Sequence, residues 1–370
     1  MKKKVAIVGW RGMVGSVLMQ RMREQNDFQG LDLTFFSTSQ AGQPGPAIAS
    51  GAGPLVDAFD IEALATHDAV VTCQGGDYTK DVHPRLRAQG WDGYWIDAAS
   101  ALRMEDNSVI VLDPVNRDVI DRALDQGIKD FIGGNCTVSL MLMAVHGLIQ
   151  QDWVEWITAM TYQSASGAGA AQMKELVVQM AQIGAAAGGA AADAQAPVLE
   201  VESTVSELLR SADLQITQFG APLAASLIPW IDRAMENGQT REEWKGQAEL
   251  NKMLSLDPLL PVDGQCVRVG AMRCHSQGLT IKLKQDVPLT DIEAAIRKSN
   301  DWVRLVPNTK EATLQQLTPA AISGQLDIGI GRLRKMTLGD DYLTAFTVGD
   351  QLLWGAAEPV RRALNIVLGR

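Results

Sequence analysis

Hydrophobic positions in the first 110 residues alternate between short continuous apolar runs and stretches of helical spacing. Val5–Val8 is an unbroken apolar run, the pattern of a strand buried on both faces. Val14, Val17, Leu18 and Met22 then recur at the spacing of one helix face. Leu33–Phe36, Ala69–Thr72, Tyr94–Ile96 and Val109–Leu112 read as further strands. Strands alternating with helices in this way predict a mostly parallel, doubly wound α/β sheet.

Beyond residue 135 the texture changes. Cys136–Ile149 predicts a helix rich in Leu and Met, Val154–Tyr162 a strand, Ser164–Ala170 a loop and Met173–Met180 another helix. The Ala/Gly tract from Gly184 to Ala196 has few large apolar side chains and predicts a loose helix or a surface loop. Val267–Met272 and Leu279–Leu283 alternate like strands with one solvent face, and Cys274–Gly278 reads as the turn between them. The last segment, Leu352–Leu368, has apolar residues at 353, 356, 357, 360, 364 and 367. That helical stripe is expected to return to the N-terminal sheet.

A length of 370 residues suggests two domains. Lys and Arg number 33 against 43 Asp and Glu, a net charge of −10, which argues against general nucleic-acid or anionic-membrane binding. An anionic ligand must then be held by a local cationic pocket. Four cysteines, at 73, 136, 266 and 274, are too few for a disulfide framework and match no zinc spacing. A reduced, cytoplasmic protein without a metal is the expectation. The Met1–Lys4 opening mimics a secretory leader, but Arg11 cuts the apolar run too early for one. No apolar run reaches the roughly 18 residues that a membrane span needs.

Two local patterns carry chemistry. Gly9-Trp10-Arg11-Gly12-Met13-Val14-Gly15 follows the first strand and opens a helix, the context in which glycines let backbone N–H groups approach a pyrophosphate. The spacing is GxxGxxG, which also serves a plain strand-to-helix turn. The second strand ends in Ser37-Thr38-Ser39-Gln40, with no acid where an NAD site holds the ribose. Hydroxyls there, with Arg11 in the glycine turn, favour NADP. Gln74-Gly75-Gly76 follows another strand and lines the same cleft or forms a simple turn.

Gly133-Gly134-Asn135-Cys136 places Cys136 at a helix N-terminus, where the dipole and free N–H groups favour a thiolate. The competing reading is a buried structural cysteine. A thiolate nucleophile needs a base. His67 and His83 belong to the first domain, and His146 lies about 15 Å along the same helix. His275 is left, although a lone turn histidine is often merely solvated. Arg103, Lys245 and Arg268 are candidate cations, and Glu242 and Lys245 share a helix face. Each also reads as a solvated surface charge. Arg268 and His275 have opposite strand parity and face one cleft only if the backbone bends between them, at Gly270 or in the 274–278 turn.

With these residues in place, the chain closely resembles the aspartate-β-semialdehyde dehydrogenase family of the Gram-negative type, nearly end to end. The blocks that carry the resemblance are VGWRGMVGSVLMQRM (8–22), GGNCTVSLM (133–141), FGAPLAASLIPWID (219–232), REEWKGQAE (241–249), VDGQCVRVGAMRCHSQ (262–277) and AFTVGDQLLWGAAEP (345–359). The resemblance implies a Rossmann-like NADP-binding domain over 1–134, an α/β catalytic and dimerisation domain over 135–356, and a C-terminal helix, 357–370, packed on the first domain. It implies a homodimer that oxidises L-aspartate β-semialdehyde with phosphate and NADP to β-aspartyl phosphate through a cysteine thioester, running reductively toward lysine, methionine and threonine. Carried over by motif, Cys136 is the nucleophile and His275 the acid/base. Arg103, Lys245 and Asn135 contact phosphate, and Gln163, Glu242 and Arg268 hold the amino acid. Gly9, Arg11, Gly12, Met13, Val14, Thr38, Ser39, Gln74, Ser166, Gly167, Ala168, Gly169, Ala170 and Gln351 contact the cofactor. The competing readings are a sister reductase such as N-acetyl-glutamyl-phosphate reductase, a non-catalytic NADP-binding protein and a cofactor-free cysteine hydrolase.

Overall fold

The structure is a computed structural model that describes residues 2–48 and 53–370; Met1, at the head of the lysine-led opening, lies outside them. The first half builds β1 (Lys3–Val8), α1 (Met13–Glu24), β2 (Leu31–Ser37), β3 (Val56–Asp57), α2 (Ile61–Ala65), β4 (Ala69–Thr72), α3 (Gly76–Ala88), β5 (Tyr94–Asp97), β6 (Ser108–Val111), α4 (Asp113–Asp125) and β7 (Asp130–Gly133). The continuous apolar runs are the central strands. Val5, Ile7, Val71 and Ile96 pack on one face of the sheet, and Ala6, Val8, Val70 and Trp95 on the other. The order is β3-β2-β1-β4-β5-β7-β6, with parallel pairing throughout. The chain reverses direction across the sheet between β1 and β4, so the crevice at their carboxyl ends is the natural ligand site of such a sheet. Gly9 and Gln74 sit at that crevice. β7 is absent from the periodicity reading because Asp130-Phe131-Ile132-Gly133 is too short to show alternation.

The second half contains α5 (Cys136–Gln150), β8 (Val154–Gln163), α6 (Ala170–Ala192), α7 (Val198–Arg210), β9 (Leu227–Ile228), α8 (Arg241–Leu254), β10 (Val262–Val269), β11 (Cys274–Leu283), α9 (Leu289–Ser299), β12 (Val303–Leu305), α10 (Lys310–Gln316), α11 (Pro319–Ile322), β13 (Ile328–Met336) and β14 (Gly339–Asp350). Its mixed sheet runs β12-β13-β14-β11-β8-β10-β9. α5 is buried from Thr137 to Leu148, as a helix that is apolar all round must be. It packs against this sheet together with α8 and α9. The Ala/Gly tract is helical as far as Ala192, within α6, in keeping with the high helix propensity of alanine.

One expectation is corrected. Cys274–Gly278 is not a turn but the first half of β11, and β10 and β11 are not neighbours. β8 lies between them, parallel to β10 and antiparallel to β11. The connection is the 270–273 loop, which crosses the end of β8, with Ala271 and Met272 carbonyls accepting the Ala165 and Ser166 N–H groups. That crossing removes the parity problem. Arg268 pairs directly with Gln163 on one side of β8, and His275 approaches the same end from the other.

The C-terminal stripe forms one wide helical turn, Leu353–Ala357, followed by α12 (Glu358–Val367). It returns to the first sheet as expected, against α1, α4 and β4 to β7. Arg361 binds Asp27 at 2.5 Å and Glu358 at 2.7 Å, and Glu358 also accepts from Arg21 at 3.0 Å. Among the described residues no helix is long and apolar enough to cross a membrane.

Burial lowers the pKa of His146, on α5, from 6.5 to about 4. The unfolded chain takes up this proton below about 6.5 and the folded chain only near 4, so stability is withdrawn as pH falls through that window. Burial depresses His275 in the same direction. Urea midpoints at pH 7 and pH 5 should therefore fall less for His146→Gln than for the natural chain, and equal falls would contradict the assignment.

Candidate active site

The site grows from the first turn of α5. Asn135 is its N-cap. Its Oδ1 accepts from the N–H groups of Thr137 at 2.9 Å and Val138 at 3.2 Å and from the Thr137 hydroxyl at 2.6 Å, while its carbonyl takes the Ser139 N–H. Of the first four amides, only that of Cys136 is left without a partner among the described residues. This free donor sits on the same residue as the thiol. Gly355 lets the chain pass closely here, since a Cβ on it would lie 2.7 Å from the Cβ of Cys136.

Cys136 Sγ is 3.2 Å from His275 Nε2. His275 is 1% exposed, and the N–H and hydroxyl of Ser164 each lie 3.0 Å from its Nδ1. An amide can only donate, so Nδ1 is an acceptor and the neutral ring carries its proton on Nε2, facing the sulfur. Ser164 is joined through its hydroxyl to Ser166, which also accepts from Gln351 at 2.7 Å.

α8 supplies the charged wall. Its N-terminus is a capping box in which Glu243 binds the Thr240 N–H. Its other oxygen takes the Cys266 N–H. Glu243 is thus spent on structure, and Glu242 is the carboxylate in the cleft. It accepts from Lys245 at 2.9 Å, Asn135 Nδ2 at 3.0 Å and Gln163 at 3.4 Å. Lys245 also binds Asp232 at 2.9 Å. Arg103 is threaded beneath, donating to the Gly133 and Gly134 carbonyls at 2.7 and 3.0 Å and pairing with Glu249 at 3.2 Å. Arg268, 6% exposed, donates to the Ser164 carbonyl at 2.8 Å and pairs with no carboxylate among the described residues.

Burial, followed by the Glu242 carboxylate, pushes the Cys136 thiol up to about 12, against the pull of Arg268, Arg103 and Lys245. Burial and the Arg268 cation take His275 down to about 3. Burial works against the Glu242 carboxylate, yet Lys245 and Asn135 hold it below its usual range. The ligand-free pair is therefore a thiol and a neutral imidazole. The expectation that the helix start would by itself favour the thiolate is corrected: desolvation and the neighbouring Glu242 outweigh it. Cys73, Cys266 and Cys274 are pushed to about 12 by burial as well. What distinguishes Cys136 is its contact with His275.

Asn135, Cys136, Gln163, Glu242, Lys245, Arg268 and Arg103 line one cleft of about 310 Å³, together with Met13, Val14, Ser166, Gly167, Ala168, Gly169 and Gln351. A second cleft, of about 380 Å³, lies over the first sheet and is lined by Gly9, Arg11, Gly12, Thr38, Ser39 and Gln74. Ala170 lines neither, because it is the first residue of α6. The second cleft fits a dinucleotide. Gly9 has φ +74°, and a Cβ on it would lie 2.6 Å from the Cys73 carbonyl carbon and the Gln74 nitrogen. No side chain caps α1, so its first N–H groups remain available to an anion. Ser164, Asp232 and Glu249 were missed by sequence reasoning. Glu249 lies seven residues after Glu242 and four after Lys245 on α8, a helical periodicity that could have found it; Ser164 depends on three strands meeting and left no local signal.

A dinucleotide-type sheet beside a cleft that holds a buried cysteine–histidine pair marks the class of oxidoreductases. The comparisons agree: residues 4–123 match the model of the semialdehyde dehydrogenase NAD binding domain and residues 145–354 that of the dimerisation domain, so the chain belongs to the semialdehyde dehydrogenase family. Aspartate semialdehyde dehydrogenase from Francisella tularensis is 50% identical, with 99% of this chain and 100% of that one covered and a TM-score of 0.95. Aspartate semialdehyde dehydrogenase II from Vibrio cholerae, complexed with ASA, shares the fold at 21% identity and a TM-score of 0.80, over 100% of this chain and 99% of that one. The enzyme of that name from Candida albicans, solved with NADP, shares it at 14% identity and a TM-score of 0.67, with the same coverage.

A Cβ on Gly167 would lie 2.9 Å from both Arg268 Nη1 and His275 Cε1. Gly167→Ala should therefore lower kcat/KM by about 10-fold or more while leaving the melting temperature near that of the natural chain. Unchanged kinetics would show that neither side chain needs its present position.

Proposed function

We propose that the chain is an aspartate-β-semialdehyde dehydrogenase, catalysing the reversible phosphorylating oxidation of L-aspartate β-semialdehyde to β-aspartyl phosphate with NADP. The observation that carries this reading is the 3.2 Å contact between Cys136 Sγ and His275 Nε2 in a cleft that Met13 and Val14 of the glycine turn also line. The substrate bears a carboxylate, an ammonium and, as the acyl phosphate, a phosphoryl group. Arg268 is the buried cation without a carboxylate partner, and its fork suits the substrate carboxylate. Glu242, with Gln163 beside it, takes the ammonium. Arg103 and Lys245 offset the phosphate, and Asn135 fixes the helix start next to it.

Substrate binding itself activates the thiol. An ammonium paired with Glu242 cancels the carboxylate that raises the Cys136 pKa, so the cations that pull it down act against burial alone, to the extent that the substrate's own carboxylate and phosphate leave them free. In the reductive direction the thiolate attacks the acyl carbon. A C–S bond forms, the C–O bond to phosphate breaks, and phosphate leaves with that electron pair and the proton that came off the thiol, as hydrogen phosphate, to give a thioester. The Cys136 N–H and the His275 Nε2–H face the carbonyl oxygen as it gains charge. NADP, when bound over Gly9–Val14, supplies the hydride chemistry. His275 is the titratable group that reaches the sulfur, and it exchanges the proton when the thiolate is released.

NADP is favoured over NAD because Ser37–Gln40 and Arg11 surround the end of β2 without a carboxylate. The domains divide as 1–134, 135–356 and 357–370. The enzyme acts in the cytoplasm as a homodimer, built on its dimerisation domain, in the supply of lysine, methionine and threonine.

NADP reduction should require both aspartate semialdehyde and phosphate, with N-acetyl-glutamate semialdehyde a poor substitute because it offers Glu242 no ammonium. Cys136→Ala should lose about 1,000-fold or more in turnover while still binding NADPH by fluorescence; full turnover would end the covalent mechanism. Arg268→Ala should raise the semialdehyde KM by about 30-fold or more, and Arg268→Lys should not restore it, because a point charge cannot replace the fork.

A further inference from the structure

Glu249 is 2% exposed, lies on the charged face of α8, and is neither nucleophile, proton carrier nor substrate contact in the mechanism above. Positions 242, 245 and 249 advance by three and four residues, so they form one stripe over two turns of helix. The upper two members face the cleft. The lowest reaches under the nucleophile's turn and uses one oxygen for each of two partners. Oε2 accepts the Asn135 N–H at 2.7 Å, and Oε1 accepts from Arg103 Nη1 at 3.2 Å.

These two bonds fix two different objects. The Asn135 N–H belongs to the residue that caps α5 and carries Cys136 after it. Arg103 already spends Nε on the Gly133 carbonyl and Nη2 on those of Gly134 and, at 3.4 Å, Ala98. A guanidinium has five N–H donors. With the Glu249 bond, four are committed, the remaining one is on Nη1, and Arg103 lines the cleft together with Cys136. The carboxylate of Glu249 holds the other Nη1 proton and, with the three carbonyl contacts, fixes the plane in which the free one lies.

We propose that Glu249 is a positioning residue for the phosphate step: it orients the last free N–H of Arg103 and the start of α5 as one unit, so that phosphate and the Cys136 thioester meet in line. This rests on the reading of Arg103 as a phosphate ligand. Glu249 also couples the two halves of the chain at this point, since α8 belongs to the second half and Arg103 and the β7 end to the first.

The test is steady-state kinetics in the oxidative direction, with inorganic phosphate varied. In Glu249→Gln the amide oxygen can keep the Asn135 N–H, but its NH₂ then meets Arg103 donor to donor. The phosphate KM should rise about 10-fold or more, while the KM values for semialdehyde and NADP change by less than about 2-fold, the scatter of surface effects. A fall in melting temperature and kcat with phosphate KM unchanged would assign Glu249 a purely structural role and overturn the proposal. Arg103→Lys, measured alongside, separates the two layers. If it raises the phosphate KM and Glu249→Gln does not, the Glu249 proposal alone fails; if neither does, the phosphate reading of Arg103 fails with it. The double variant should be no worse for phosphate than Arg103→Lys, because the two act as one, and additive effects would count against the coupling. Should Glu249→Gln not fold, Glu249→Asp gives the same readout, its shortened carboxylate being unable to span both partners.

Discussion

Burying charge is the constraint around which this site is built. Three buried cations, Arg103, Lys245 and Arg268, and two buried carboxylates, Glu242 and Glu249, gather beside one thiol, with the exposed Asp232 paired to Lys245 at the rim. Ionised groups taken out of water persist only where they are paired or hydrogen-bonded. Five of the six satisfy this with one another, and Arg268 does so with a carbonyl oxygen. The arrangement is neutral as a set and uneven in detail. On the function proposed above, an amino acid with both its charges exchanges into it without leaving a buried ion alone, its carboxylate on Arg268 and its ammonium on Glu242. The net charge of −10 on the whole chain therefore says little about what binds here; the local ledger decides.

Holding that set requires elements from far apart in sequence. Arg103 comes from the loop after β5, Cys136 from the start of α5, Arg268 from the end of β10, His275 from β11, and Glu242, Lys245 and Glu249 from α8. The mixed sheet brings Arg268 and His275 together by placing β8 between β10 and β11, so that the end of β8 at Gln163 and Ser164 becomes the shared anchor. Ser164 shows what this achieves: its N–H fixes His275 Nδ1 while its carbonyl takes Arg268. The backbone of a single residue thereby sets both the tautomer of the imidazole and the position of the guanidinium. The return of α12 to the first sheet ties the other side, because Gly355 of the preceding turn packs on Cys136 itself.

Features set by neighbours in the chain were legible from the sequence, and those set by topology were not. The glycine turn, the helix start at Cys136 and the stripe of the final helix are local patterns, and each is visible in the sequence. Elimination identified His275 correctly as the histidine that reaches the sulfur, yet its surroundings were misread. Alternation at Val267–Met272 and Leu279–Leu283 suggests a hairpin, because period-two patterning reveals that a strand exists and not which strand it pairs with. The choice between Glu242 and Glu243 is likewise undecidable from spacing. The structure separates the two by use: the capping box consumes the Glu243 carboxylate, and Glu242 is the one that lines the cleft. Glu249 occupies an intermediate place: its periodicity was visible, but a buried glutamate at the base of a helix face has no distinguishing mark until Arg103 and the Asn135 amide are seen to converge on it.

The state of the sulfur follows from the same balance. A thiolate held permanently at the front of α5 would be exposed to oxidation and alkylation between turnovers, since reactivity tracks the anion. Burial and Glu242 keep the proton on Cys136 in the ligand-free protein, and the groups that oppose them, Arg268, Arg103 and Lys245, are the ones proposed above to contact the substrate and phosphate. Occupying Glu242 with an ammonium removes the opposing charge without moving any cation. The substrate's carboxylate and phosphate then partly neutralise those cations, so the window in which the thiolate is favoured depends on the order in which the charges arrive. An amino acid seated before phosphate supplies its ammonium to Glu242 while Arg103 and Lys245 still face the sulfur. That sequence gives the anion its strongest support when it must attack the aldehyde, and withdraws part of it once phosphate enters to release the product.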